Sequence, residues 1–144
     1  MTVTVFYNYD FEENKTDIQS KENINKIVHT FYGKIKGDEQ ISYFFNDVAK
    51  VNWDEHLPRM VQFWESVLFG TAAYSGNPMS AHILLHKKSP IRIEHFEQWF
   101  KIWTETVDEL FKGPNAEKIK KQADQMVQLM WYKINESAKT SFIQ

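Results

Sequence analysis

From Ser20 to Gly37 the apolar residues Ile24, Ile27, Val28, Phe31, Tyr32 and Ile35 recur at helical spacing, which predicts an amphipathic helix with Ser20 as N-cap and Gly37 beyond its end. A short apolar turn follows at Ile41, Phe44, Phe45 and Val48. The next stripe, Trp53, His56, Leu57, Met60, Val61, Trp64 and Leu68, predicts a helix from about residue 52 to Gly70 with His56 on its inward face; Pro58 falls near enough to the first turn to be tolerated. Residues 70–78, GTAAYSGNP, read as a loop, and His82 then falls in a brief helix or an ordered loop closed by Pro90. From about Glu94 a strong helical pattern carries Phe96, Trp99, Phe100, Trp103, Val107, Leu110 and Phe111 until Gly113-Pro114 breaks it. A last helix uses Ile119, Ala123, Met126, Val127, Met130, Trp131 and Ile134. Residues 1–15 alternate Val3, Val5 and Tyr7 with polar neighbours, as an extended arm does, but no second strand is at hand to pair with them. The chain therefore divides into an N-terminal tail and lead-in (1–19), a compact all-α domain (20–137) and a C-terminal tail (138–144), without internal repeats.

Composition narrows the function classes. The 144 residues suffice for one domain with a sizeable core, and the absence of cysteine excludes disulfides, thiolate metal sites, iron–sulfur clusters and covalent heme attachment. A reducing cytoplasm fits such a chain. No apolar run approaches the roughly 18 residues that span a bilayer, and the polar start from Met1 to Asp10 lacks the features of a signal peptide, so a cytoplasmic protein without a membrane partner is expected. Net charge is -2 with both signs scattered, which leaves no basic stripe for nucleic acid. The aromatic share of 15% exceeds what a small helical bundle needs for its own core and suggests that something flat is packed inside.

Five histidines, at 29, 56, 82, 86 and 95, are the candidate ligands. His82 and His86 have the i, i+4 spacing of a zinc pair, yet zinc needs three or four protein ligands and no carboxylate stands at a fixed motif distance. Taken singly, His56 and His82 read as core histidines bonded to backbone carbonyls, and Tyr32 and Trp99 as packing aromatics. Taken together they describe a different site. One imidazole lies on the long central helix, and the other lies past a loop that can bring it round to face the first. Tyr32 and Trp99 add hydrogen-bond donors on otherwise apolar faces. A flat, mostly apolar tetrapyrrole, with iron that takes one neutral imidazole and a ligand steadied by donors, suits that set. No Ser or Cys nucleophile motif, glycine-rich phosphate loop or paired acidic motif competes.

The order of these pieces resembles the group III truncated hemoglobins over roughly residues 20–135. FYGKI (Phe31 to Ile35), YFFNDV (Tyr43 to Val48), WDEHLPRMVQFW (Trp53 to Trp64), YSGNPMSAH (Tyr74 to His82) and HFEQWFKIW (His95 to Trp103) carry the likeness. It implies an all-α, globin-like two-over-two helical sandwich in which the segment bearing the proximal histidine is largely loop. It also implies one b-type heme (iron protoporphyrin IX) with His82 as the iron ligand. Tyr32, Trp99 and His56 would flank the bound ligand, with Phe31, Phe45, Met60, Phe63 and Trp64 as apolar lining. Lys87, Lys88 and Arg92, near the proximal histidine in sequence, are expected to meet the propionates. Dioxygen, carbon monoxide, nitric oxide or cyanide would be the heme ligands. Reversible dioxygen binding, nitric oxide dioxygenation or peroxide chemistry with an external reductase, and a sensor role remain open.

Overall fold

A computed structural model describes residues 14–143, with side chains through residue 137. The extended arm expected around Val3, Val5 and Tyr7 lies outside the described residues. The chain forms α1 (Lys21–Ile35), a π-helical turn (Phe44–Val48), α2 (Trp53–Phe69), α3 (Pro78–Lys88), α4 (Ile93–Leu110) and α5 (Pro114–Ile143). In α1 all six apolar stripe residues are buried, and Ser20 Oγ accepts the N–H of Asn23 as the N-cap. In α2, Asn52 Oδ1 accepts the N–H of Asp54 and the helix closes at Gly70. Pro58 stands inside α2, past its first turn. Its missing N–H leaves the carbonyl of Asp54 free, and both residues lie on the exposed side of the helix, where solvent can take that carbonyl.

Helices α1 and α2 pack together, α4 packs on both α1 and α5, and α5 also covers α2 and α3. The three residues from Phe111 to Gly113 between α4 and α5 make an antiparallel pair of those two helices. The result is all-α, as the sequence pattern predicted, and is the two-over-two helical sandwich that the resemblance implied. One difference concerns the segment bearing His82. It is an 11-residue helix rather than mostly loop. None of its residues is fully buried, so it shows no apolar stripe; the helix rests instead on its start, where Asn77 Oδ1 accepts the N–H of Ser80 and Pro78 occupies the first helical position. A second difference is at the end of the chain, where α5 continues through residues 138–143, the stretch expected to be a tail.

The lead-in is also part of the body. Ile18 is fully buried in the main core, and Asp17 caps α5 from outside by accepting the N–H groups of Asn115 and Ala116, each at 2.9 Å. A solitary apolar residue in a polar stretch carries no periodicity, which is why the pattern did not place it. Helix ends elsewhere are closed across elements: Lys118 Nζ and Gln122 Nε2 donate to the last carbonyls of α2, at Leu68 and Val67. Thr106, fully buried, donates to the Ile102 carbonyl and accepts from Lys34 Nζ, which links α4 to α1.

Asp17→Ala removes acceptors from two helix-start N–H groups and is expected to lower stability by about 1–2 kcal/mol. Gly113→Ala should cost at least as much, because its φ of 147° and a Cβ 2.5 Å from the Asp17 carboxyl carbon both oppose a side chain there. Urea unfolding of the two variants checks both; an unchanged midpoint in Asp17→Ala would show that the cap carries no weight.

Candidate functional site

The apolar interior falls into two clusters. The larger runs under α1, α2, α4 and the start of α5; the smaller joins Phe44, Ile91, Phe96, Met130 and Ile134. Between them lies a cavity of about 290 Å³ whose walls draw on both, with Tyr32 and Trp64 from the first and Phe44, Ile91, Phe96 and Met130 from the second.

Eight of the nine expected site residues line it: Tyr32, Phe45, His56, Met60, Phe63, Trp64, His82 and Trp99. Phe31 does not. It is fully buried one step back, edge-on to Tyr32 at 4.8 Å and to Trp99 at 5.3 Å, because adjacent helix residues point about 100° apart and Tyr32 takes the cavity face. Phe31 thus supports two lining residues and is not one itself. Trp99 and Trp64 are backed in turn by fully buried Trp103, stacked on Trp64 at 4.4 Å and on Trp99 at 5.7 Å.

The three histidines around α3 and the start of α4 differ in how they use Nδ1. His82 Nδ1 lies 2.6 Å from the Pro78 carbonyl and must donate there, so Nε2 carries the free lone pair. Burial lowers the His82 pKa, opposed by that hydrogen bond, and favours the neutral ring. His86 Nδ1 accepts the N–H of Ile91 and His95 Nδ1 accepts the N–H of Arg92. In both neutral rings the remaining proton therefore sits on Nε2. His95 lines the cavity, packed edge-on to Phe44, whereas His86 does not line it.

On α2, His56 Nε2 is buried and has no hydrogen-bond partner among the described residues. Burial, then the charge of Arg59, then His82, push its pKa down to about 4, so the ring is neutral at ordinary pH. Burial drives the Tyr32 phenol far above its usual range, which keeps it protonated and a donor.

Lys87, Lys88 and Arg92 are exposed and outside the lining, so nearness in sequence did not place them at the cavity. The cation that lines it is Arg59, with Tyr74 beside it. The loop before α3 makes that approach possible. Tyr74 N–H donates to Ser66 Oγ, and at Gly76, with φ 155°, a Cβ would meet the Tyr74 hydroxyl at 2.6 Å and Arg59 at 3.1 Å. Asn77 from the same loop, and Met126, Val127 and Met130 from α5, complete walls that sequence reasoning missed.

Residues 16–132 match the bacterial-like globin family. The chain belongs to that family. This globin is 30% identical, over 97 residues, to the group 3 truncated hemoglobin ctb of Campylobacter jejuni, a match that covers 65% of this chain and 74% of that protein. Its fold superimposes on the crystal structure of the group III truncated hemoglobin from Campylobacter jejuni with a TM-score of 0.74 at 24% identity, covering 83% of this chain and 94% of the other. The group III likeness read from the sequence is thereby borne out. Membership of the globin family implies heme binding, and the donor set fits that group: a mostly apolar cavity contains a neutral imidazole whose Nε2 is left free by a backbone hydrogen bond. No helix among the described residues is long and apolar enough to cross a membrane.

The lowered pKa of His56 has a signed consequence. Between about pH 6.5 and the folded value of about 4, the unfolded chain binds the proton that the folded ring refuses, so stability falls as pH falls through that window. His56→Leu should flatten the pH dependence of urea unfolding there and leave it unchanged above pH 7; an equally steep curve would place the titration elsewhere.

Proposed function

We propose that this globin holds a b-type heme in the cavity through His82 and binds dioxygen and related small ligands there: carbon monoxide, nitric oxide and cyanide. The observation that carries the reading is the His82 ring, whose Nδ1 bond to the Pro78 carbonyl leaves a neutral Nε2 free in a cavity that also contains Tyr32, His56 and Trp99. When bound, the heme supplies an iron with a coordination position open to a diatomic ligand. His82 holds the group, and its backbone hydrogen bond fixes the ring and strengthens it as a donor to metal. His86 is a poor substitute, since its Nδ1 lone pair is already engaged by Ile91 and it lies outside the lining.

The protonated Tyr32 hydroxyl and the Trp99 indole N–H donate where the ligand gathers negative charge, and neutral His56 stands beside them. Arg59 and Tyr74 take the propionates in place of Lys87, Lys88 and Arg92. Phe45, Met60, Phe63 and Trp64 complete the apolar contact, with Phe31 behind Tyr32 and Trp99. A second reading is nitric oxide dioxygenation or peroxide chemistry with electrons from an external reductase. Two donors on one lining favour it, because they hold a polarised ligand long enough to meet a second small molecule.

The ligand assignment is tested on His82→Gly and His86→Ala. His82→Gly should lose the iron–imidazole bond in its absorption spectrum and regain it with added imidazole, whereas His86→Ala should keep it. The opposite pattern would overturn the assignment.

The donors are tested by ligand release. Tyr32→Phe should speed dioxygen release by about tenfold or more, the effect of losing one charge-assisted hydrogen bond in an apolar site. Carbon monoxide gathers little charge, and its release should change far less. Equal acceleration of both ligands in stopped-flow measurements would make Tyr32 a packing residue.

A further inference from the structure

His56 presents a problem that the proposed ligand binding leaves unsolved. An imidazole with a buried, unpartnered Nε2 would gain hydrogen bonds by turning out to water, yet it stays among the lining residues. Packing holds it there. Tyr32 meets the ring edge-on at 5.2 Å and 83°, Phe45 at 6.3 Å and 70°, and Trp53 at 5.6 Å and 88°. Tyr32 and Phe45 are themselves cavity walls. Trp53 is not; it is the half-buried outer member of the cage, stacked on Phe45 at 6.0 Å and 23°. Over its ring, 4.6 Å from the centroid, sits the ammonium of the exposed Lys36.

We propose that Trp53, clasped by Lys36, is the latch on the entrance for small ligands: His56 leaves the cavity when Trp53 moves, and Lys36 sets how often that happens. The inference rests on the heme reading for what enters, and on the cage alone for how the entrance is closed. The two latch residues sit where the chain can yield. Lys36 caps the end of α1 and Trp53 is the first residue of α2, so the clasp joins two helix termini across the connection that carries the π-helical turn. An exposed ammonium over a half-buried indole is a weak contact, as suits a closure that must open thermally. Both residues are positioning residues, acting through His56.

Two readouts on the same variants test the latch. One is carbon monoxide association after flash photolysis of the heme-loaded protein; the other is the rate at which diethyl pyrocarbonate labels His56, read by peptide mass. Entry and labelling both scale with the fraction of time the cage is open, so Trp53→Ala should raise both by about tenfold. Lys36→Met keeps the aliphatic contact and loses only the charge, and should raise both by about threefold, with Lys36→Arg returning them to the wild-type values. Carbon monoxide dissociation should rise by the same factor as association, leaving the affinity unchanged, because a closure that limits entry limits exit equally. The thermal midpoint should not move in Lys36→Met, which separates a latch from a merely structural contact. If Trp53→Ala does not fold, the Lys36 pair carries the test alone. The proposal is overturned if Lys36→Met matches the wild type in both readouts, or if His56 of the wild type is labelled as fast as in the variants. Labelling does not need heme, so a protein that bound none would refute the ligand reading while the cage was still judged by its labelling rate.

Discussion

The arrangement of this protein depends on the ring of Phe31. Fully buried, it meets Tyr32, Trp99 and Trp103 edge-on, with centroids 4.8, 5.3 and 5.0 Å away. Edge-to-face pairs of this kind contribute roughly 0.5–1.5 kcal/mol each beyond the burial of their area. Their larger effect is directional. Because Phe31 is locked against α4, the next residue on α1 has to face the cavity, and because the same ring bears on Trp99, the second donor is set from the same point. A residue that touches nothing in the cavity therefore orients both donors on its wall.

Around α3 the protein distinguishes three imidazoles by assigning each a different backbone group. A carbonyl for His82 frees its Nε2, while N–H groups for His86 and His95 engage the Nδ1 lone pairs and put the protons of the neutral rings on Nε2. The roles follow from the turn geometry: His82 stands one helical turn after Pro78, within the helix, while His86 and His95 bracket the connection between α3 and α4. A histidine's place relative to the end of its helix thus decides its chemistry more firmly than its spacing from another histidine.

Helical stripes were legible because their period is written along the chain, and with them came Tyr32, His56, Trp64 and Trp99. His82 was legible through the resemblance, but its segment stayed open between a brief helix and an ordered loop, since Met79, Ile83 and Leu85 are only partly buried and form no stripe. The cap and proline at Asn77-Pro78 were the available signal. Arg59 was illegible: it reads as an exposed charge beside Pro58 until the loop through Tyr74 and Gly76 folds back on it. Met126 and Met130 were readable as inward-facing positions of the last helix, but an inward face does not say whether it meets core or cavity. The misplacement of Lys87, Lys88 and Arg92 has the same root, a neighbourhood inferred along the chain where only the tertiary fold defines one.

The indoles of Trp64, Trp99 and Trp103 lie nearly parallel, with interplanar angles of 5° to 24° and centroid separations of 4.4 to 6.4 Å. Chromophores that close share their excited states. The three indoles therefore contribute to the near-ultraviolet circular dichroism of this protein as one coupled array that runs from the centre of the core to the cavity wall. A small rotation of Trp99 is written into the optical activity of the whole stack, and the protein carries its own reporter of cavity-wall geometry without any introduced label.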